Sequence, residues 1–213
     1  MAVNSTDLQT LFEKVIVKAK AWRAPGPDGI HMYWWKNLRE ARERVKNIAC
    51  NGIKTGNLPF QWLAKGRTIL LYKKGDKKNP SNYRSITCLN TVYKLLTGMI
   101  NEICKSRCQQ LGLIPEEQRA MRTGETACLH AILKDQYMTG RARYSRRSLA
   151  LCWMDFQKAF DSVAHTYLKW LLETTGMPLE VKQFLGKAMK HWSTVFQVEN
   201  IVTNRIKIKN GIF

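Results

Sequence analysis

Trp153-Met154-Asp155-Phe156-Gln157-Lys158-Ala159-Phe160-Asp161-Ser162-Val163 is the stretch on which the reading of this chain turns. It continues Leu149-Ala150-Leu151-Cys152, so a nearly all-apolar run leads up to Asp155. Such a run, bounded by polar residues, is expected of a central strand covered on both faces. An aspartate at the exit of a buried strand is held rigidly yet points into the open crevice outside the sheet, where a divalent cation and its phosphate ligand can reach it. The residues alone leave a plainer alternative open, with Asp155 a solvated strand end and Asp161 with Ser162 capping the next helix.

Working outward from this stretch, Arg141, Arg143, Arg146 and Arg147 crowd what reads as a polar linker, preceded by a helix over about 126–137. Val92, Leu95, Leu96, Met99 and Ile103 recur at helical spacing inside a long helix expected over 89–110, which Gly112 stops. Ahead of it, Thr68-Ile69-Leu70-Leu71-Tyr72 is short and β-rich, and it empties into Lys73-Lys74-Gly75-Asp76-Lys77-Lys78-Asn79-Pro80, a flexible basic loop followed by Asn82-Tyr83-Arg84. Lysines in such a loop, closed by an arginine beside an apolar strand, could clamp a triphosphate; the bland reading is a solvated charged face.

At the N-terminal side, Leu8, Leu11, Phe12 and Val15 follow the capping cluster Ser5-Thr6-Asp7 and predict a helix over 7–22. It ends at Ala24-Pro25-Gly26-Pro27-Asp28-Gly29, where prolines forbid helix and glycines permit tight turning, with Asp28 placed to cap the next helix. That helix begins near Ile30 and should turn Tyr33, Trp34, Leu38, Ala41, Val45 and Ile48 inward. Beyond the central stretch, helices are expected over 163–175 and 179–192, then a hairpin of Val195–Val198 with Arg205–Lys209.

Composition narrows the partners. With 35 Lys+Arg against 16 Asp+Glu the net charge is +19, a field that attracts phosphate-rich polymers through salt-sensitive counterion release. A merely basic protein and an anionic membrane surface are the competing readings. The six cysteines show no paired metal-ligand spacing and read as buried thiols of a reducing compartment. No apolar run approaches the about 20 residues needed to span a bilayer, so the expectation is an intracellular chain with no membrane partner.

The string MDFQKAFDSV resembles the first palm motif of reverse transcriptases of non-LTR (LINE-type) retrotransposons. Three other segments resemble that family in the same order. Tyr72-Lys73-Lys74 with Asn82-Tyr83-Arg84-Ser85-Ile86 is similar to its fingers motif, although Ser85 stands where the family usually has Pro. Ala24–Ile30 is similar to its Ala-Pro-Gly-Pro-Asp-Gly-Ile signature. Glu117–Gly124 resembles its template-contacting segment, with Ala120 in place of a Gly. The final Asn210-Gly211-Ile212-Phe213 resembles the lead-in to the family's next palm motif.

The resemblance implies an α+β fold of the right-hand polymerase type: mostly helical fingers and an incomplete palm sheet. Residues 1–147 would be fingers with part of the palm, and 148–213 palm stopping short of the catalytic Asp-Asp hairpin. It implies an RNA-directed DNA polymerase that adds dNTPs to a DNA primer on an RNA template, with Asp155 binding two catalytic Mg²⁺ ions. By the same resemblance Lys73 or Lys74, with Arg84, binds the β and γ phosphates, and Phe156 and Phe160 meet the dNTP, Phe160 at the steric-gate position. Arg122 and Gly124 contact the template, and Asp161 is given a capping role. The partners implied are the remainder of a retrotransposon polyprotein, and the location is nuclear during retrotransposition. No aromatic-x-Asp-Asp string occurs in the chain, so these 213 residues alone are expected to incorporate little or no nucleotide. The competing reading is an inactive remnant of this fold that acts only as a basic nucleic-acid-binding module; an unrelated basic helical module would leave the ordered motifs unexplained.

Overall fold

The computed structural model describes residues 5–115, 117–118, 126–156 and 158–212. The elements run α1 (Ser5–Lys18), α2 (Met32–Asn37), α3 (Arg39–Lys54), β1 (Lys65–Tyr72), β2 (Tyr83–Leu89), α4 (Thr91–Gln110), α5 (Ala127–Tyr144), α6 (His165–Thr174), α7 (Leu179–His191), β3 (Ser193–Val198), β4 (Ile201–Val202) and β5 (Ile206–Lys207). The chain is thus α+β, with a mixed sheet. It divides into two compact units, one of Met1–Arg107 with Phe160–Phe213, the other of Cys108–Ala159.

In the larger unit the apolar stripe of α1 (Leu8, Phe12, Ile16) packs with Val45, Ala49 and Ile53 of α3, Leu95, Leu96 and Met99 of α4, and Val181, Phe184 and Ala188 of α7. Spacings of i, i+4, i+8 in α1 and α3 and of i, i+3, i+7 in α7 put these residues on one stripe of each helix, buried against the others. Tyr93 is buried among them, and its hydroxyl accepts from Trp192 Nε1 at 2.6 Å. Burial pushes the Tyr93 phenol up to about 12.

The sheet has the order β2-β1-β3-β4, with β5 also on β3. β1 and β2 form an antiparallel hairpin in which Leu71 faces Arg84 and Tyr72 faces Tyr83. β3, far along the chain, adds parallel to the other edge of β1, with Thr68 opposite Phe196. Three threonine hydroxyls tie these strands together: Thr68 Oγ1 lies 2.7 Å from both Thr87 Oγ1 and Thr194 Oγ1. A Thr68→Val exchange keeps the shape but takes a partner from Thr87 and leaves Thr194 only its 3.3 Å bond to Val195 O, so it should cost about 1–2 kcal/mol. A urea titration checks this, and an unchanged midpoint would show the hydroxyl ladder to be idle.

Several expectations need correction. The helix after the Pro-Gly turn is two helices, broken at Leu38, whose extended backbone (φ −94°, ψ 103°) interrupts the ladder. Trp34 and Leu38 are about half exposed, and Met32, Ala49 and Ile53 fill the core places instead. Tyr83–Leu89, where no strand is expected from the sequence, is strand β2, and Leu89, the expected start of the long helix, is its last residue. Arg141 and Arg143 lie within α5 rather than in a linker. The largest correction concerns Leu149–Met154, which forms no strand and is exposed throughout. Trp153 is 78% and Met154 86% exposed. An apolar segment becomes a central strand only when hydrogen-bonding neighbours and two covering layers are supplied, and the described residues of its unit supply neither. Cys152 is accordingly exposed, not a buried thiol.

Two capping assignments also fail. The N-cap of α6 is Ala164, without a side-chain cap, so Asp161 does not hold that helix start. The N-cap of α2 is His31, likewise uncapped, and Asp28 instead accepts from Ile30 N at 3.1 Å, closing a local turn.

Candidate functional site

The β1–β2 hairpin carries the basic loop, and the loop is strapped down rather than flexible. Tyr72 OH donates to Gly75 O at 2.6 Å, Tyr83 OH to Lys77 O at 2.9 Å, and Asn82 Nδ2 to Asp76 O at 2.9 Å. Asp76 and Asn79 each accept from the backbone N–H two residues on, from Lys78 and Ser81, the habit of short polar side chains in turns. Gly75 has φ +95°, a conformation that favours glycine, and a Cβ there would also push on the Asn82 amide, 2.6 Å away at Nδ2. Lys77 lies over the Tyr72 ring at 5.7 Å, adding a cation–π contact. The signal for this scaffold was in the sequence, as a tyrosine at each mouth of the loop and Asx residues within it, but only the charges were read.

Strand register sorts the loop's cations. Lys73 N donates to Asn82 O at 2.8 Å, continuing the ladder one step beyond Tyr72–Tyr83. Side chains alternate across a strand, so Lys73 falls on the face of Leu71 and its partner Arg84, and Lys74 does not. Both Lys73 and Arg84 have exposed or part-exposed side chains.

The base of the hairpin is held by the Pro-Gly turn. Asn90, 1% exposed, accepts from Asp28 N at 3.3 Å and donates to Trp62 O and Leu63 O. Thr91 Oγ1 accepts from Trp35 Nε1 at 2.7 Å and donates to Ile30 O, while Lys94 Nζ donates to Ala24 O. Asp28 Oδ2 is buried with no hydrogen-bond partner, and burial pushes the Asp28 carboxyl above its ordinary range despite the Ile30 N–H and nearby Lys94. Burial holds Lys94 below the usual ammonium range. Neither Asn90 nor Thr91 carries a type signature of this role in the sequence. An Asn-Thr pair before a helix was visible, its long-range partners were not.

Phe160 is exposed, but its backbone is pinned: Ile212 N donates to Phe160 O at 3.1 Å and Gly211 N to Val163 O at 2.7 Å. Ala164 bridges Asn210, and His165 Nε2 lies 2.9 Å from Gly211 O. The structure therefore brings together the end of the MDFQKAFDSV stretch and the Asn210–Ile212 stretch, two motifs that lie far apart in sequence. Asp155 and Phe156 belong to the smaller unit, and both are exposed. Arg122 and Gly124 lie outside the described residues.

Among the described residues no group of three His, Cys, Asp or Glu side chains comes together to hold a metal ion. Asp155 offers one exposed carboxylate, too few oxygens for a pair of hard cations. The donors among the described residues do not by themselves fit a two-ion centre. No helix among the described residues is long and apolar enough to cross a membrane.

Residues 73–212 match the family model described as reverse transcriptase (RNA-dependent DNA polymerase). The chain is 27% identical over 94% of its length to a retrovirus-related Pol polyprotein from the type-1 retrotransposable element R2 of Popillia japonica, of which it covers 27%. It is 28% identical over 81% of its length to a probable RNA-directed DNA polymerase from transposon X-element of Drosophila melanogaster, covering 18% of that protein. With a transposon TX1 uncharacterized 149 kDa protein of Xenopus laevis it shares 31% identity over 68% of the chain and 11% of the relative. The chain thus spans about a quarter or less of the curated relatives it matches. The matched span takes in the basic loop and β2, with Lys73, Lys74 and Arg84, and the pinned Phe160 segment, and the chain belongs to the reverse transcriptase (RNA-dependent DNA polymerase) family, with relatives among non-LTR retrotransposon polyproteins.

Proposed function

We propose that the chain forms the fingers and the first part of the palm of an RNA-directed DNA polymerase, which extends a DNA primer on an RNA template within a larger retrotransposon polyprotein. The observation that carries this reading is the hairpin register, which puts Lys73 and Arg84 on one face of a strapped two-stranded arm. Two cations on that face neutralise the β and γ phosphates of an incoming dNTP, and the strapped backbone means that little backbone entropy is lost when it binds. Phe160, with its carbonyl tied to Ile212 N, is the bulk that would exclude a ribose 2′-OH, and Phe156 meets the nucleotide beside Asp155. Arg122 and Gly124 take the template strand.

Family membership implies divalent-metal dependence in general terms. Our finer reading is a pair of Mg²⁺ ions in the complete enzyme, for which this chain supplies Asp155 and residues elsewhere in the polyprotein supply the other carboxylates. In this reading residues 1–147 are fingers with part of the palm, 148–213 are palm, and the enzyme works in the nucleus where primer and target DNA meet. A second reading, an inactive member that only binds nucleic acid, draws on the net charge of +19.

The test is steady-state dNTP incorporation by the polyprotein that carries this domain. Arg84→Ala and Lys73→Ala should each raise the KM for dNTP about 10- to 100-fold, the worth of a charge-assisted hydrogen bond, and Lys74→Ala should raise it less than about threefold. A Lys74→Ala effect as large as that of Lys73→Ala, or an unchanged KM in Arg84→Ala, would overturn the assignment of the phosphate-binding face.

A further inference from the structure

A recess of about 620 Å³ opens on the sheet between the basic loop and the end of β3. Arg67 and Ile69 of β1 line it, together with Lys77, Lys78 and Tyr83 on the loop side and Gln197 and Glu199 on the other. None of Lys73, Lys74 and Arg84 lines it, so it is separate from the phosphate-binding pair above.

Arg67 is the informative residue. Its Nη1 donates to Gln197 Oε1 at 3.4 Å, and Gln197 is in turn held by Nε2 donating to Glu199 O at 3.2 Å. Arg67 Nε, however, is buried with no hydrogen-bond partner. A guanidinium presents five N–H donors in a fixed fork, and a buried donor left unpaired is costly unless something outside the chain pairs with it. Lys78 is exposed and joins no salt bridge among the described residues, and Lys77 engages only a ring face. Three cations thus line a recess against one carboxylate, Glu199, with the Tyr83 ring as an apolar wall.

We propose that this recess is a second phosphate subsite, taking a phosphoryl group of a nucleic-acid strand or of a free nucleotide through Arg67, Lys77 and Lys78. Arg67 supplies the planar fork, which the β1 register and Gln197 hold in place. The two lysines supply charge from the strapped loop, and Glu199 at the rim opposes the anion and so limits its affinity. Volume suits the size of a nucleotide rather than a lone ion. The subsite goes beyond the polymerase reading, and rests on it only for where the phosphate comes from.

The experiment measures binding of a short labelled single-stranded RNA, and separately of dATP, to the 213-residue chain across a salt series. Arg67→Gln and Lys78→Ala should each weaken the favoured probe about tenfold, with a salt slope for RNA shallower by about one. Glu199→Gln should tighten the same probe severalfold. Lys78 is exposed, so its variant reports even if Arg67→Gln does not fold. A loss confined to RNA identifies a strand phosphate, and a loss confined to dATP identifies a nucleotide; either supports the subsite. If all three variants bind both probes as the unaltered chain does while Lys73→Ala weakens one, the subsite is refuted and the polymerase reading is untouched. If the unaltered chain binds neither probe, both are refuted.

Discussion

Gly26→Ala is expected to destabilise the chain by about 3 kcal/mol or more, the upper end of what overpacking costs, because the added methyl has nowhere to go. A Cβ at Gly26 would stand 2.3 Å from Asn90 N and 2.5 Å from Leu89 C, both backbone atoms, and 2.5 Å from Asn90 Oδ1. A flexible side chain could swing aside; the junction of β2 and α4 cannot, since Asn90 is anchored to Trp62 O and Leu63 O. The clash would also pull at Asp28 N, Ile30 O and Ala24 O, the points where the turn is latched to Asn90, Thr91 and Lys94. Gly29 is the internal control: it has φ +70° with nothing within 4 Å of a Cβ, so Gly29→Ala should cost only about 1 kcal/mol of left-handed backbone strain. Urea unfolding of the two variants measures the difference. Equal losses, or a neutral Gly26→Ala, would mean that the turn is not clamped against the hairpin base.

This clamp changes what the Ala24–Ile30 signature means. Read as sequence, it is a rigid turn that starts a helix. In the structure it is the seat of the basic hairpin: the turn holds Asn90, Asn90 holds the end of β2, and β2 carries Arg84 opposite Leu71. The turn and the hairpin act as one mechanical piece, so damage at Gly26 should reach the face that carries Lys73 and Arg84 as well as the stability of the chain.

The elements that were legible in the sequence are those whose own periodicity decides their fate. α1, α4 and α7 each bury a stripe at i, i+3, i+4 and i+7 spacing, and their bounds agree with expectation to within a few residues, although α1 stops short of Trp22. β2 was not legible, since Tyr83-Arg84-Ser85-Ile86 has an exposed, mixed surface and becomes a strand only because β1 offers it a ladder. The parallel union of β1 with β3 was out of reach for the same reason: Val195–Val198 alternates like a hairpin arm, and nothing local names its partner across more than a hundred residues. Leu149–Met154 errs in the opposite direction, with a strand-like composition and no strand around it.

For the proposed site, charge and motif point to Lys73, Lys74 and Arg84, and only the register separates Lys73 from Lys74. The strapping residues Tyr72, Tyr83 and Asn82, the clamp at Asn90 and Thr91, and the recess at Arg67 all depend on contacts between distant segments. Residues that do chemistry carry a type signature in the sequence. Residues that hold them carry mainly a geometric one.

The measurement that bears most directly on the account is primer extension on a primed RNA template by the polyprotein that carries this domain, with and without Asp155→Asn. The exchange keeps the shape of an exposed side chain, so folding and RNA binding should be unchanged, within about 0.5 kcal/mol. It removes the one carboxylate charge this chain would bring to the divalent ions, an effect worth several kcal/mol in the reaction and hence a rate lower by on the order of 1,000-fold. The 213 residues assayed alone should extend nothing. Extension that persists at the unaltered rate in Asp155→Asn, with RNA binding equal in the two proteins, would contradict the assignment of Asp155 and with it the catalytic reading of this chain.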